Sequence, residues 1–144
     1  MQFRYFETVL RAQKSYGRLM EPVCRKWGMT RNELDVLLFL ANNPSQNRAA
    51  DIVRGRGISK GHVSLSLRGL EIRGLVIRRE DEKDHRTVHL ALTDEAGEIT
   101  KDAQAAQREF ISRLREGITP EESAVMQSVS RKLEDNLRRM EREL

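Results

Sequence analysis

The first segment of the chain repeats apolar side chains at helical spacing. Steps of three and four residues place one stripe along Phe3, Phe6, Leu10, Gln13 (a polar break), Tyr16, Met20, Val23 and Trp27. A helix of about 25 residues is roughly 37 Å long, which is more than a compact domain of this size needs internally. We expect Pro22 to bend or split this helix near its end, and Gly28 to stop it.

A second helix is predicted from a capping box. In the segment TRNE at 30–33, the Thr30 hydroxyl and the Glu33 carboxylate can each accept a hydrogen bond from a free amide of the first turn. The apolar residues at 34 and 36–40 make this helix apolar on most of its sides. It should therefore be the most buried element.

Two short helices joined by a glycine-rich turn come next. The first covers about residues 47–54, and its packing face consists of Ala49, Ala50, Ile52 and Val53. After the turn at 54–57, Ser59 can cap a third helix over about 60–73. Its inward side chains would be Val63, Leu67, Leu70 and Ile58. This arrangement is the signature of a helix-turn-helix.

An antiparallel hairpin is predicted directly after the helix-turn-helix. Gly74 ends the third helix, and residues 75–79 and 87–92 form two strands, the second with Val88, Leu90 and Leu92 on one face. The connection at 80–86 (EDEKDHR) contains charged or titratable residues and no apolar group, so it must project into solvent. A helix-turn-helix followed by a projecting hairpin is a winged helix.

Two amphipathic helices complete the chain. The first starts at Asp94 and Glu95, runs for about 22 residues to Gly117 and carries the stripe Ile99, Ala103, Ala106, Phe110 and Leu114. The last starts with a second capping box, Thr119-Pro120-Glu121-Glu122. Its seam repeats close to every 3.5 residues, as in a coiled coil, at Met126, Val129, Leu133, Leu137, Met140 and Leu144. The predicted fold is mainly α with a small β-hairpin wing: a winged helix-turn-helix flanked by long N- and C-terminal helices.

Composition and charge narrow the class of protein. Of the 144 residues, only 38% are hydrophobic and 33% are charged, which suits long two-faced helices or a subunit that completes its core by pairing. No apolar run approaches the length of a membrane span, and the first residues lack a signal peptide, so a cytoplasmic protein is expected. The window 54–79 holds seven basic residues and one acid, whereas the rest of the chain is slightly acidic. This window is either a polyanion-binding surface or an ordinary solvated face.

Three segments together resemble the MarR (multiple antibiotic resistance regulator) family of transcription regulators. They are ISKGHVS at 58–64, LEIRGLV at 70–76, and the wing with its second strand, DEKDHRTVHLALT, at 81–93. The resemblance covers essentially the whole chain. It implies an obligate homodimer in which the first and last helices of both subunits interleave, and binding of a pseudo-palindromic operator in double-stranded DNA. It assigns residues 1–29 and 94–144 to dimerisation and residues 30–93 to DNA binding.

The wing supplies one set of candidate DNA-binding residues: Lys83, Asp84 and Arg86. Arg86 would enter the minor groove, where narrow A·T-rich DNA concentrates negative potential, while Asp84 orients its guanidinium. Lys83 and His85 would add phosphate contacts, and the acids at 80–82 should point away from DNA. The alternative is an exposed ion pair within the hairpin that contributes little.

The predicted recognition helix supplies the second set: Ser59, Lys60, Gly61, His62, Ser64 and Arg68. The helix start, the serines and Lys60 suit phosphates, whereas His62 and Arg68 have the reach for base edges. Backbone contacts are also expected from any of Arg48, Arg54, Arg56, Arg78 and Arg79, each of which is equally an ordinary surface charge.

Other chemistry receives less support. A small-molecule effector could bind beside Tyr16, Met20, Trp27 and Phe39, although core packing explains these residues equally well. Cys24 lies on the apolar stripe of the first helix, so we expect its thiol to pack in the core. The histidines lack the spacing of a metal site, and the chain has no pattern of an enzyme or of a cofactor site.

Two functions from different classes follow. The first is a dimeric, sequence-specific DNA-binding regulator, a repressor rather than an activator, with or without release by an effector. The second is a winged-helix module that uses its basic face to bind an acidic protein partner. The operator, the regulated genes and the effector are not encoded in any residue pattern of the chain.

Overall fold

The elements of the structure, a computed structural model that describes residues 4–144, follow the predicted order. In chain order they are α1 (Arg4–Trp27), α2 (Arg31–Asn42), α3 (Ala49–Arg56), α4 (Lys60–Ile72), β1 (Val76–Glu80), β2 (Val88–Leu92), α5 (Gly97–Leu114) and α6 (Pro120–Glu143). A 3-10 turn, Asp94–Ala96, leads into α5. The mainly α fold with a two-stranded wing is therefore confirmed.

The chain divides into two compact units. The first extends to Phe110, and the second runs from Ile111 to Leu144. The predicted division into a dimerisation region (1–29 and 94–144) and a DNA-binding region (30–93) concerns an assembly of two chains. A single chain does not test it, and it stays a prediction.

Helix α2 forms the centre of the core in the first unit, as its composition predicted. Its buried side chains are Leu34, Val36, Leu37, Leu38, Phe39 and Leu40. It packs against α1, α3, α4 and β2, and α4 contributes Val63, Leu67 and Leu70 to the same core. Since burying one such side chain stabilises a fold by about 1.5–3 kcal/mol, this helix holds the elements around it in place.

The hairpin joins the core at its base and leaves it at its tip. Val76 pairs with Leu92 and Glu80 with Val88 in an antiparallel register. Val76 and Leu90 are buried, whereas the strand residues of β1 beyond Val76 are exposed. The base is tied further by the Leu90 amide, which donates to the main-chain carbonyl of Asn47 at 2.8 Å. The wing therefore projects from a fixed root.

Helix α1 runs without interruption through Pro22, so the split considered from the sequence does not occur. Pro22 lies on an exposed face, where water can satisfy the carbonyl that the missing amide leaves free. Within α1 only Met20 is buried, whereas Phe6 and Leu10 are exposed. Phe3, the first residue of the predicted stripe, lies outside the described residues.

The predicted caps are present with one difference. At α6, the Thr119 hydroxyl accepts from the Glu122 amide at 3.2 Å, and the Glu122 carboxylate accepts from the Thr119 amide at 2.9 Å. At α2, the Thr30 hydroxyl accepts from the Glu33 amide at 3.1 Å but also donates to the Glu33 carboxylate at 3.2 Å. The capping box of α6 is therefore complete. At α2 the Glu33 carboxylate binds the Thr30 hydroxyl in place of the Thr30 amide.

The packing face of α3 is narrower than predicted. Ile52 is buried and Val53 is half-buried, but Ala49 and Ala50 are exposed. Near its end, α3 approaches α2 so closely that a Cβ at Gly55 would lie 2.3 Å from Cε2 of the buried Phe39 ring. Glycine at this position is what lets the two helices meet.

No helix within residues 4–144 combines the length and the apolar character that a bilayer-spanning segment needs.

We predict that Gly55→Ala destabilises the protein, because the added methyl group overlaps the Phe39 ring. Overpacking of this kind costs about 1–3 kcal/mol in unfolding free energy, measured by urea denaturation at one protein concentration. Gly61→Ala is the matched control, since a Cβ at that helical position meets open space and alanine favours a helix by up to about 1 kcal/mol. Equal stabilities of the two variants would contradict the close approach of α3 to α2.

Candidate nucleic-acid interface

The start of α4 is fixed by a turn and a cap. Gly57 ends α3 with a positive φ of 64°, a conformation that glycine adopts without strain. Ser59 then caps α4, and its hydroxyl accepts from the His62 amide at 3.2 Å. The His62 ring turns back toward the same hydroxyl, with Nδ1 at 2.9 Å from Oγ. One ring nitrogen of His62 is therefore engaged at the start of the helix.

The outer face of α4 is fully available to a ligand. The buried residues Val63, Ser66, Leu67 and Leu70 form one side of the helix. The candidates predicted from the sequence are all exposed on its remaining surface: Ser59, Lys60, Gly61, His62, Ser64 and Arg68. The structure adds Leu65, which is exposed in the middle of the same face. A helical wheel centred on the buried residues would have found it, since Leu65 lies on the side of α4 opposite to them.

The wing loop is built on two aspartates. The Asp81 carboxylate accepts from the amides of Lys83 and Asp84 at 2.9 and 3.0 Å. The Asp84 carboxylate accepts from the Arg86 amide at 3.1 Å and from the Thr87 hydroxyl at 3.0 Å. Side chains that hydrogen-bond the backbone two or three residues on are the usual device for closing a polar turn. These bonds give a loop without apolar contacts a defined shape.

The structure gives Asp84 a contact that the sequence did not predict. Asp84 was expected to orient the guanidinium of Arg86; in the structure its carboxylate accepts from the Arg86 amide and the Thr87 hydroxyl, and the contact with the guanidinium stays a prediction. Asp84 therefore positions the main chain at Arg86. Within residues 4–144 the Arg86 guanidinium makes no ion pair, and it extends from the exposed loop.

His89 ties the wing to the segment that precedes α3. Its Nε2 lies 2.8 Å from a carboxylate oxygen of Asp81, and its Nδ1 lies 2.7 Å from the side-chain oxygen of Asn47. The hydrogen bond from His89 is the largest cause of a lowered pKa at Asp81, which falls to about 2, and the two backbone amides add to it. Sequence reasoning assigned no such role to His89 or Asn47, because the two are 42 residues apart and carry no shared motif.

Several cations of the basic window at 54–79 contact acids or carbonyl groups of the protein itself. Arg54 pairs with Asp51, and Arg78 Nε donates to Glu71 at 2.6 Å. Arg73 donates to the carbonyls of Trp27 and Gly28 at 2.7 and 3.1 Å, and Arg56 is half-buried. The exposed cations of the helix-turn-helix and the wing whose side chains make neither an ion pair nor a hydrogen bond within residues 4–144 are Arg48, Lys60, Arg68, Arg79, Lys83 and Arg86.

The residues predicted to line an effector pocket lie at different depths in the first unit. Met20 and Phe39 are buried in the core, as the packing interpretation expects, and their part in an effector pocket stays a prediction. Tyr16 and Trp27 are half-buried against the core. An open cleft lies instead along α1 and the start of α2, and it is lined by Lys14, Gly17, Arg18, Glu21, Cys24 and Arg31.

Cys24 packs against the core from the edge of this cleft. Burial raises the pKa of its thiol above the ordinary value, so the thiol stays protonated near neutral pH. Among residues 4–144, no three His, Cys, Asp or Glu side chains are grouped in a way that could hold a metal ion.

The comparison with protein families and curated proteins finds transcription regulators. The sequence profile of the MarR family matches residues 27–87. The chain is 26% identical over 118 residues to YdgJ of Bacillus subtilis (strain 168), an uncharacterised HTH-type transcriptional regulator, covering 82% of this chain and 70% of YdgJ. It is 31% identical over 74 residues to the transcriptional repressor MprA of Escherichia coli (strain K12), covering 51% of this chain and 42% of MprA. The chain thus spans less than half the length of MprA.

The solved structures agree in fold along the chain. The transcriptional regulator PA3341 superposes with a TM-score of 0.77 at 28% identity, and the match covers 94% of this chain and 99% of PA3341.

We predict that the Asp81 carboxyl stays ionised well below the ordinary value of 3.8. Because the folded wing favours the charged form, its contribution to wing stability is fully present above that value and is lost as the pH falls toward about 2. A carbon-13 NMR titration of the aspartate carboxyls should show no protonation of Asp81 at pH 3.5.

The matched pair for this titration is His89→Ala and His85→Ala. The first removes the main cause of the shift and should return the pKa of Asp81 toward its ordinary value. The second removes an exposed imidazole that lies 3.5 Å from Glu80 and should leave Asp81 unchanged. An Asp81 that titrates like an ordinary surface carboxyl in the unaltered protein would contradict the observed wing geometry.

Proposed function

We propose that this chain, a DNA-binding transcriptional regulator of the MarR family, acts as a homodimeric repressor on a pseudo-palindromic operator. The observation that carries the proposal is the combination, on one fixed scaffold, of an exposed α4 face and a wing tip whose two cations, Lys83 and Arg86, make no ion pair within residues 4–144. The family consists of transcription regulators, so the chain is a regulator rather than an enzyme.

The proposed contacts divide into two kinds. On α4, the helix start with Ser59, Lys60 and Ser64 faces phosphates, and Gly61 lets the DNA backbone approach, since a Cβ there would meet open space. Arg68, exposed on the same face, has the reach for a base edge in the major groove. The support is that each of these side chains is exposed and none of them is needed by the core.

The wing contributes the second kind of contact. Lys83 and Arg86 extend from a loop whose backbone is already fixed by aspartate side chains. An Arg guanidinium that makes no internal ion pair can enter a narrow minor groove without breaking a contact first. Asp84 belongs to the site through the main chain that it positions.

Dimerisation is proposed from the apolar surface that the single chain leaves exposed. The α6 seam residues are each 40–57% exposed, although a helix of this kind buries its seam when paired: Met126, Val129, Leu133, Leu137 and Met140. On α1, Phe6 and Leu10 are exposed as well. A second copy of the chain is the partner that explains both surfaces, and two-fold symmetry would present two α4 helices to successive major grooves, about 34 Å apart.

Repression and its release are the finer parts of the proposal. The curated relative MprA is named a repressor, and a dimer that occupies an operator can act as one by excluding other proteins from the same DNA. Release by a small molecule stays a prediction. The cleft at α1 suits an anion, because Lys14 and Arg18 line it without an ion pair within residues 4–144, whereas Glu21 is paired with Arg25 and Arg31 with Asp35.

A protein-interaction module remains the second candidate, because Leu65 and Ile72 are large apolar side chains exposed on α4. Salt-insensitive binding, or equal affinity for every duplex, would favour it over a sequence-specific regulator.

We predict that Arg86→Ala weakens operator binding about tenfold on most sequences, because it removes a minor-groove cation. The logarithm of the affinity should also depend less steeply on salt, by a slope of about 1. Fluorescence anisotropy with a duplex from the promoter of the chain's own gene measures both. The control is Lys101→Ala, which removes an exposed cation of α5 and should leave affinity and slope unchanged. Equal effects of the two variants would exclude a specific role for the wing.

We further predict that Leu133→Glu shifts the protein from dimer to monomer, because it places a charge in the proposed seam. Sedimentation equilibrium gives the mass directly. Ala124→Glu adds the same charge to the opposite face of α6 and should leave the dimer intact. A dimer that survives the first change and is lost with the second would place the interface elsewhere.

A further inference from the structure

The outer face of α4 carries a large apolar side chain where a solvated helix would carry a polar one. Leu65 is 66% exposed, and it lies between Gly61 on the preceding turn and Arg68 on the following turn. The side chains that α4 needs for the core point the other way. Folding therefore gives no reason for a leucine at this position.

The surroundings of Leu65 indicate what covers it. Lys60 and Arg68 are exposed on α4 and, within residues 4–144, make no ion pair, so the face as a whole is cationic and suits a polyanion. Gly61 leaves open space on the turn before Leu65, which permits close approach of a large surface. The occupant that fits both the charge and the open approach is a DNA duplex.

The chemistry of the major groove then restricts what Leu65 can contact. Guanine, cytosine and adenine present hydrogen-bond donors and acceptors at their major-groove edges, which a leucine cannot satisfy. Thymine presents the one apolar group there, its 5-methyl. A leucine that covered any other base edge would remove water from a polar group without replacing its hydrogen bond.

We infer that Leu65 is a specificity-determining residue, whose side chain packs against the 5-methyl group of a thymine in each half-site. The inference builds on the proposed function, since it names one feature of the sequence that the regulator reads. It assigns discrimination to a residue that adds no charge, whereas Lys60 and the wing cations supply affinity for any sequence.

Ile72 is the matched comparison. It is even more exposed than Leu65, at 80%, and lies on the same stripe, but it is the last residue of α4. Recognition helices contact bases mainly through their N-terminal residues, so the end of the helix recedes from the base edges. Ile72→Ala therefore removes a similar apolar group without removing a base contact.

The experiment starts from a duplex that the wild-type protein selects from a random pool. Each symmetric pair of thymines in that duplex is then replaced by deoxyuridine, which keeps the base pair and removes only the methyl groups. Anisotropy titrations compare the wild-type protein, Leu65→Ala and Ile72→Ala on every duplex. Circular dichroism and sedimentation test whether both variants keep the fold and mass of the wild type.

We expect one deoxyuridine pair to weaken wild-type binding by about three- to tenfold, a range that one lost apolar contact in each half-site would give. Leu65→Ala should weaken binding to the thymine duplex similarly and should be indifferent to that one replacement, whereas Ile72→Ala should respond like the wild type. A Leu65→Ala variant that responds to every replacement as the wild type does would overturn the inference.

Failure of the proposed function would look different. In that case the wild-type protein would select no sequence, or would bind all duplexes with equal affinity. If the wild type selects a duplex and Leu65→Ala changes only the mass of the protein in solution, Leu65 contacts another protein chain, and the inference is overturned while the regulator remains.

Discussion

The burial of α2 is the constraint on which the remaining structure depends. This helix is apolar on most sides and can be stable only if other elements cover it, so α1, α3, α4 and β2 pack around it. Each of these elements packs its own apolar face against α2. Helix α4 buries Val63, Leu67 and Leu70 in this way, and its opposite face is left for binding. The packing of the core thus determines which face of α4 is exposed.

Several arginines of the basic window are likewise engaged in contacts within the fold. A basic window suggested a uniform cationic surface, but Arg54, Arg73 and Arg78 each satisfy an acid or a carbonyl of the fold. These cations stabilise the helix-turn-helix and contribute less charge to a ligand. Of the cations in this window, Lys60, Arg68 and Arg79 stay exposed and make no ion pair or side-chain hydrogen bond within residues 4–144. The net charge of the window therefore overstates the charge that is available to DNA.

The order of the elements was predictable because each follows from a local rule. Capping residues such as Thr119, the apolar run of α2 and the alternation in β2 act over a few residues and are not overridden by packing. The exposure of Ala49 and Ala50 was not predictable, since it depends on how closely α3 approaches α2 at Gly55.

The candidate site shows the same limit. Its cations could be named from the sequence, whereas the partners of Asp84 could not, because a carboxylate in a short loop can bind a guanidinium or the main chain equally well. The contact of His89 with Asn47 joins residues that are far apart in the chain, so the pattern of apolar and polar residues cannot predict it. Local chemistry identifies which groups are present, and tertiary structure decides which of them are already occupied.

The hydrogen bonds at the wing root have a consequence for regulation. The Leu90 amide binds the Asn47 carbonyl, and His89 bridges the Asn47 side chain and Asp81, so the wing is joined to the chain just ahead of α3. Helices α3 and α4 share the core with the base of the hairpin. Helix α4 and the wing are therefore joined through one core and one set of hydrogen bonds, and the proposed dimer contains two copies of this arrangement. A ligand that releases DNA would act most readily by changing the spacing between them, because distorting either one would break both the core and the wing root.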